Sequence, residues 1–166
     1  MSGGAGIGVK ILRQLLLSGP VIRQQIVDAL DLRFKSILIV GGYQTDIGKN
    51  VFAWRSTAFT DDELPGLAYL DLDESNDVSI GEWEHGMILE IDLHILHETD
   101  AMRELRNAIT DVLRAIGLDT RLGGLTEDIT PSQRDFIKIT QNDERYASCM
   151  LNMIVTYLTN RWQLTA

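Results

Sequence analysis

The sequence predicts an α+β fold in which a mixed, mainly antiparallel sheet has two helices packed on one of its faces. Two stretches show the apolar spacing of helices, and several others show the short apolar runs or the alternation of strands. The strands follow one another in groups, which favours an antiparallel or mixed sheet. The 166 residues fit one domain. We place this domain at 20–166 and interpret residues 1–19 as a flexible or helical N-terminal extension.

Both predicted helices combine regular apolar spacing with a recognisable start or end. The first runs from about Pro20 to Phe34, and a proline suits a first helical turn because its missing N–H would be unpaired there anyway. The second is capped by Thr99 or Asp100 and is ended by Gly117. Its apolar residues are Met102, Leu105, Ile109, Val112, Leu113 and Ile116.

The clearest predicted strand is Met87 to Ile95, in which apolar and polar residues alternate. Its apolar residues face a core, so Glu90, Asp92 and His94 are expected to face solvent or a neighbouring subunit. The other predicted strands are Asn50 to Arg55, Leu67 to Leu72, Phe136 to Thr140 and Met150 to Thr159.

Three connections carry predictions of their own. The apolar run Ile37 to Val40 either continues the first helix or forms a strand. Asp73 to Asp77 is expected to form a turn. Leu118 to Gln133 is a long connection, and a connection of that length is usually functional or mobile.

The composition restricts the classes of partner. With 24 acidic and 15 basic residues the net charge is -9, which repels phosphate and disfavours tight, sequence-specific binding to duplex DNA. It remains compatible with DNA that slides past the surface. The single cysteine, Cys149, excludes a disulfide within the chain and favours a reducing compartment. No apolar run approaches the ~20 residues that span a bilayer, and Met1 to Gly8 has no signal-peptide pattern.

The acidic stretch Asp71 to Glu82 is the best match to a metal-binding motif. Oxygen-bearing side chains stand at alternate positions from its start, and Glu82 occupies the twelfth position, as in a helix–loop–helix calcium site. However, Asn76 replaces the usual glycine, and the flanking sequence leaves no room for the two helices. An acidic turn between two strands is therefore the favoured interpretation, with calcium binding as the alternative.

Two further patterns are weaker. The glycines and Lys49 of Gly42 to Asn50 resemble a phosphate-binding loop, but the spacing is one residue too long and Asn50 replaces the hydroxyl residue. Asp92, His94 and His97 could be proposed as metal ligands, although His97 has the opposite strand parity. A plain turn and surface histidines are the favoured interpretations. Cys149 is expected to be buried and inert, and no catalytic constellation is predicted.

Large aromatic residues meet an arginine and a proline where the strand from Asn50 ends. Phe52 and Trp54 precede Arg55, and a polar loop carrying Phe59 then leads to Glu63-Leu64-Pro65. Such residues are common in protein–protein contacts. The alternative, that Phe52 and Trp54 are ordinary core residues of a strand, is left open.

This part of the chain resembles the tail terminator, or tail completion, proteins of long-tailed bacteriophages, of the lambda minor tail protein U type. The resemblance lies in a strand ending at Arg55, the Leu64-Pro65-Gly66-Leu67 step, and the strand from Gly86 to Ile95. As an order of elements it extends over about Pro20 to Trp162. It assigns no counterpart to Met1 to Gly19.

The resemblance implies a structural virion protein without enzymatic activity, cofactor or metal. Six copies would form a ring that caps the tail tube at its head-proximal end and docks the head–tail connector or stopper protein, with DNA passing through the lumen. Assembly would take place in the bacterial cytoplasm. A stopper or a tail tube subunit is the alternative within this class. The predicted subunit or tube contacts are Trp54, Arg55, Phe59, Leu64, Pro65, Glu90, Asp92 and His94.

Overall fold

The computed structural model describes residues 21–78, 81–133, 135–141 and 144–160. Two helices and six strands make up this part of the chain, joined by loops and short 3-10 turns. In chain order they are α1 (Ile22–Lys35), β1 (Val51–Ala53), β2 (Gly66–Val78), β3 (Glu82–Leu96), α2 (Ala101–Gly117), β4 (Asp128–Pro131), β5 (Ile137–Gln141) and β6 (Tyr146–Asn160).

The strands form one mixed sheet, which confirms the predicted fold class. The order across the sheet is β1-β2-β3-β6, and β4 and β5 both pair with β6 at the far edge. Only β1 and β2 run parallel, and the other pairs are antiparallel. The centre is the long antiparallel pair of β3 and β6, matched from Glu82 opposite Asn160 to Leu96 opposite Tyr146.

Burial alternates along both central strands, so the sheet has one covered face. On β3 the buried residues are the odd-numbered ones, as predicted from the alternation. Their neighbours on β6 are also buried, and together with both helices they form a single core. We call this covered face the helix side and the opposite one the outer face.

Helix α1 packs on the helix side through one stripe of side chains. The buried residues are Ile22, Ile26, Leu30 and Phe34. The Phe34 ring lies 5.4 Å from the ring of Tyr69 on β2. The helix predicted from about Pro20 to Phe34 is thus confirmed over the described residues, with Pro20 itself outside them.

Helix α2 begins and ends at the predicted residues. Asp100 is the N-cap, and its carboxylate accepts a hydrogen bond of 2.9 Å from the backbone N–H of Arg103. Gly117 is the last helical residue, and the C-cap residue Leu118 still has helical backbone angles. The chain turns later, where Leu122, Gly123 and Gly124 have positive φ.

The three predicted connections differ from the structure. Ile37 to Val40 is neither helix nor strand but runs into a 3-10 turn, and the Val40 side chain is 93% exposed. The predicted turn at Asp73 to Asp77 is wrong, since β2 continues to Val78 and pairs with β3 on both sides of a register shift between Asp71 and Glu74. Leu118 to Gln133 contains β4, whose Ile129 is buried beside Val155. In the last two cases pairing across the sheet overrides the local sequence signal.

Candidate functional site

The outer face brings together three of the residues predicted to form contacts. Glu90, Asp92 and His94 follow one another on the same side of β3 and are each half-buried. Neither α1 nor α2 packs on this face, because the core that both helices share lies on the helix side. The centre of a six-stranded sheet therefore presents carboxylates on a face that the described residues leave largely uncovered.

Apolar side chains surround these carboxylates. Glu90 lies opposite Leu70 on β2, and Asp92 lies between Ala68 on β2 and Met150 on β6. One step along the strands, Ile88 stands opposite Ile154, and both are half-buried. The outer face is thus partly apolar around two acidic groups, while Asn152 lies opposite Glu90 and Lys138 on β5 lies opposite Met150.

This setting changes the protonation behaviour of both carboxyl groups. Partial burial raises the pKa of Glu90, and repulsion from Asp92 raises it further. Burial also raises the pKa of Asp92, although His94 opposes the change. Of the ion pairs between described residues, none includes Glu90 or Asp92. A cationic group placed on this face would therefore meet carboxylates whose charge is not yet balanced by a close partner.

Arg55 forms a tightly bonded cluster at the border of the outer face. Its guanidinium donates two hydrogen bonds to the Glu63 carboxylate, at 2.9 and 2.6 Å. It also donates to the backbone carbonyls of Thr57 and Ala58 at 2.8 Å. Because the Arg55 guanidinium and the Thr60 N–H both bind it, the Glu63 carboxyl has its pKa lowered to about 2. The loop from 56 to 65 is therefore held in one shape from within.

Aromatic rings connect this cluster to the acidic strand. The Arg55 guanidinium carbon lies 4.5 Å from the ring centre of Phe52 and 4.6 Å from that of Phe59. The Phe59 ring in turn lies 4.7 Å from the His94 ring. Phe52, Arg55, Phe59, Glu63 and His94, which we call the Arg55 cluster, thus form one contiguous group on the β1 side of the outer face.

His94 occupies the junction between the Arg55 cluster and the carboxylates. Its Nδ1 is hydrogen-bonded to the hydroxyl of Tyr146. Burial lowers the pKa of His94, and this effect outweighs the nearby Asp92 carboxylate, which raises it. The imidazole is therefore neutral at pH 7 and contributes no cation to balance Glu90 or Asp92.

Leu64 and Pro65 connect the Arg55 cluster to the start of β2. Both are half-buried, the peptide bond between them is cis, and the Pro65 carbonyl accepts a hydrogen bond from the Asn50 side chain at 3.2 Å. A Cβ added to Gly66 would lie 2.5 Å from the Phe59 ring and 2.6 Å from the Glu63 carbonyl oxygen. Glycine is therefore needed next to Pro65 for the loop to close over β2.

Trp54 is separated from the other predicted contact residues. Its backbone has a φ of 51°, which turns the side chain to the helix side. The indole N–H donates a hydrogen bond of 2.5 Å to the Asp71 carboxylate, which also accepts one of 2.7 Å from Arg23 on α1. Trp54 is still 57% exposed. It marks a second surface, beside the start of α1, where Val21 and Val27 also line a shallow cavity.

Most of the described residues of the possible calcium motif belong to a strand and not to a loop. Asp71 is engaged by Arg23 and Trp54. Asp71 and the residues from Glu74 to Val78 pair with β3, and the register shifts between Asp71 and Glu74. Among the side chains that the structure describes, no group of three or more metal-binding residues occurs. Ser79, the ninth residue of the motif, lies outside the described residues.

The remaining candidates have structural partners. Lys49 is paired with Asp46 at 2.6 Å, and its turn leads into β1 rather than into a helix whose N-terminus could face phosphate. The His97 ring accepts hydrogen bonds from the backbone N–H groups of Thr99 and Asp100, ahead of α2. Cys149 is buried, and burial raises its pKa to about 11, so it remains a neutral thiol.

Two features of the site were missed at the level of the sequence. Ile88 and Ile154 make the outer face apolar, and the signal was their position among polar residues of the same strand parity. Asp111 is a buried carboxylate on α2 that accepts hydrogen bonds from the backbone N–H groups of Gln44 and Thr45. Its signal was an acidic residue among the apolar positions of a helix.

Comparison with known proteins leaves the chain without an assigned relative: no protein-family model and no curated protein matches it. Within the residues that the structure describes, no helix has the length and apolar character needed to cross a membrane.

Proposed function

We propose that this chain is a structural subunit that assembles with copies of itself into a closed ring through the outer face of its sheet. In line with the resemblance to phage tail terminators, the ring would cap a tail tube and dock the head-side connector, with DNA passing through its lumen. The observation that carries the proposal is the uncovered, partly apolar outer face, at whose centre Glu90 and Asp92 lack ion-pair partners among the described residues.

An apolar sheet face is costly to leave in water, since roughly 25 cal/mol is gained per Å² of apolar surface buried. Here Leu70, Ile88, Met150 and Ile154 share one face, and they are half-buried instead of fully covered. Contiguous apolar patches on a folded protein typically mark contacts with other proteins. The fold is thus complete on the helix side and supports a further contact on the outer face.

The Arg55 cluster supplies a rigid border for such a contact. Arg55 and Glu63 hold the loop through bidentate hydrogen bonds, and Phe59 joins it to His94. A loop that is already ordered loses little conformational entropy on binding. A ring requires two different patches on each subunit, because only heterologous contacts repeat around an axis and close. The Trp54 surface on the helix side is separate from the outer face and satisfies that requirement.

The test is the mass of the protein as its concentration rises, measured by sedimentation velocity. The proposal predicts growth from monomer to one larger species whose mass then stays constant. Ile88→Arg, which places a bulky cation on the outer face, is expected to remove this species. Leu32→Arg changes a residue of α1 that is 71% exposed and serves as the matched control.

A ring that persists unchanged in Ile88→Arg, with Leu32→Arg also unchanged, would show that subunits meet elsewhere. Circular dichroism confirms that both variants are folded. Electron micrographs then separate the terminator from its neighbours in the assembly: a terminator forms single rings alone, whereas a tube subunit forms open stacks. Only monomers at all concentrations, with or without tail tubes, would contradict the proposal altogether.

A further inference from the structure

The charged and apolar residues of the outer face indicate the composition of a partner that would bind it. Its carboxylates, Glu90 and Asp92, lie among apolar residues and have no ion pair with a described residue. Of the basic residues beside this face, Arg55 is bound to Glu63, and Lys138, opposite Met150 on β5, forms no ion pair with a described residue. His94 is neutral at pH 7. A complementary partner therefore has aliphatic side chains for the apolar part and a few cations for the two carboxylates.

The first 20 residues of the chain have this composition. They include two of the 15 basic residues, Lys10 and Arg13, and none of the 24 acidic ones. Around and after these cations the stretch is rich in aliphatic residues, namely Val9, Ile11, Leu12, Leu15, Leu16 and Leu17. In a chain with a net charge of -9, this is a locally cationic and apolar segment.

The place where this segment joins the fold decides which outer face it can cover. Val21 lies on the helix side, where it lines the same shallow cavity as Trp54 and Asp71. Leu17 is four positions from Val21, which spans about 13 Å when extended, whereas Arg13 and Lys10 are eight and eleven positions away, a reach of roughly 26–36 Å. Stacked layers of a domain are ~10 Å apart, and the route to the outer face of the same copy also has to pass around β1 and β2 to reach β3. In the proposed ring the Trp54 surface of one copy meets the outer face of the next, so the segment, which leaves the fold at this surface, starts beside the neighbour's outer face.

We propose that residues 1–17 of one copy bind the outer face of the next copy, with Lys10 and Arg13 facing Glu90 and Asp92. This inference rests on the proposed ring, in which it adds residues 1–17 to the Trp54 surface as the second patch. Each copy gives its segment to one neighbour and receives a segment from the other, which is the head-to-tail arrangement that a closed ring needs. The apolar residues of the segment cover Ile88, Met150 and Ile154.

The experiment exchanges the charges of the two patches. Lys10→Glu/Arg13→Glu reverses the segment, and Glu90→Lys/Asp92→Lys reverses the face. Each variant alone is expected to need at least about tenfold more protein to form the ring, because like charges then meet at every contact. Combining all four substitutions in one chain restores attraction and is expected to return the ring to within about threefold of the unchanged chain.

Mixing the two reversed variants gives the most specific result. The acidic segment of one variant then meets the cationic face of the other, and the unchanged cationic segment of the second meets the unchanged acidic face of the first. Rings of alternating copies therefore form at protein concentrations at which neither variant assembles alone. If each segment bound its own copy instead, mixing would restore nothing, and the proposal would be overturned. The substitutions at Lys10 and Arg13 lie outside the described fold. The test therefore still gives a result if the variant with substitutions at Glu90 and Asp92 does not fold.

Deleting residues 1–19 distinguishes this inference from the proposed function. Loss of the ring with the fold intact supports both. A ring that forms equally well without the segment overturns the inference and leaves the proposed function standing. Absence of a ring in the unchanged chain is the separate result that contradicts the proposed function. Sedimentation velocity measures all of these outcomes, and circular dichroism confirms folding.

Discussion

The two faces of the sheet differ in how completely the rest of the chain buries and pairs their side chains. On the helix side, Leu89, Ile91 and Leu93 are fully buried beneath two helices. On the outer face of the same strand, Ile88, Glu90 and Asp92 are half-buried, and the carboxylates lack close cations among the described residues. The buried core thus contains odd-numbered residues of β3, whereas its even-numbered neighbours lie on a face that the described chain covers only in part.

The difference separates stability from assembly. Asp111, a buried carboxylate on α2, is satisfied within the chain: it accepts hydrogen bonds from the N–H groups of Gln44 and Thr45 and from the Thr45 hydroxyl. In the proposed assembly, Glu90 and Asp92 on the outer face gain partners only when a second copy is added. Substitutions on the helix side should therefore change the free energy of unfolding, and substitutions on the outer face should change the oligomeric state.

The largest expected contrast in stability comes from substituting one isoleucine on each face of β3. Ile91→Ala removes a fully buried side chain and should cost about 2–5 kcal/mol of unfolding free energy, since it leaves a cavity in the core. Ile88→Ala removes a half-buried one and should cost less than about 1 kcal/mol in the monomer. Urea unfolding at low protein concentration measures both. Equal losses would show that the outer face is packed as tightly as the core.

A second contrast uses two aspartates. Asp111→Asn puts an amide opposite the backbone N–H groups that its carboxylate now binds, and it should cost about 1–3 kcal/mol. Asp92→Asn removes a charge that burial disfavours, so the monomer should be unchanged or slightly more stable, within about 0.5 kcal/mol at pH 7. Thermal unfolding of both variants checks the opposite signs. Destabilisation by Asp92→Asn would reveal a partner for this carboxylate.

The smallest expected effect is a pH dependence of opposite sign in two acidic residues. The pKa of Glu63 falls to about 2 on folding, so its stabilising contribution is present above about pH 4.5 and is lost as the pH falls toward 2. The pKa of Glu90 rises on folding, so protonation of Glu90 favours the folded state as the pH falls. Glu63→Gln should therefore be less stable than the unchanged protein at pH 7, and Glu90→Gln should be more stable. Both differences should shrink as the pH falls. Melting temperatures between pH 3 and 7 check both, and a constant difference in either variant would contradict the assigned shift.

Regular periodicity made the central elements predictable from the sequence. The alternation in β3 and the helical spacing in α2 each extend over many residues, and both elements are found where predicted. The grouping of Glu90, Asp92 and His94 on one face follows from strand parity alone. These are the cases in which local pattern and tertiary packing favour the same structure.

Prediction failed where pairing partners decide the structure. The acidic residues from Asp73 to Asp77 suggest a turn, but β3 provides a partner that extends β2 through them. Strand parity would place Trp54 on the outer face with Phe52, but the positive φ of Trp54 turns its side chain to the helix side. The Arg55 cluster unites residues up to 42 positions apart, from Phe52 to His94, and no short-range pattern predicts it.

The central claim, that the outer face is where subunits meet, is tested most directly by thiol labelling. Ile154→Cys places a probe on the outer face, and Leu118→Cys places one at a residue that is 66% exposed after α2. Cys149 is buried with a pKa of about 11 and reacts slowly, so it can remain. As the protein concentration rises through ring formation, labelling at 154 should slow by at least about tenfold while labelling at 118 stays constant. Ring formation with unchanged labelling at 154 would contradict the claim.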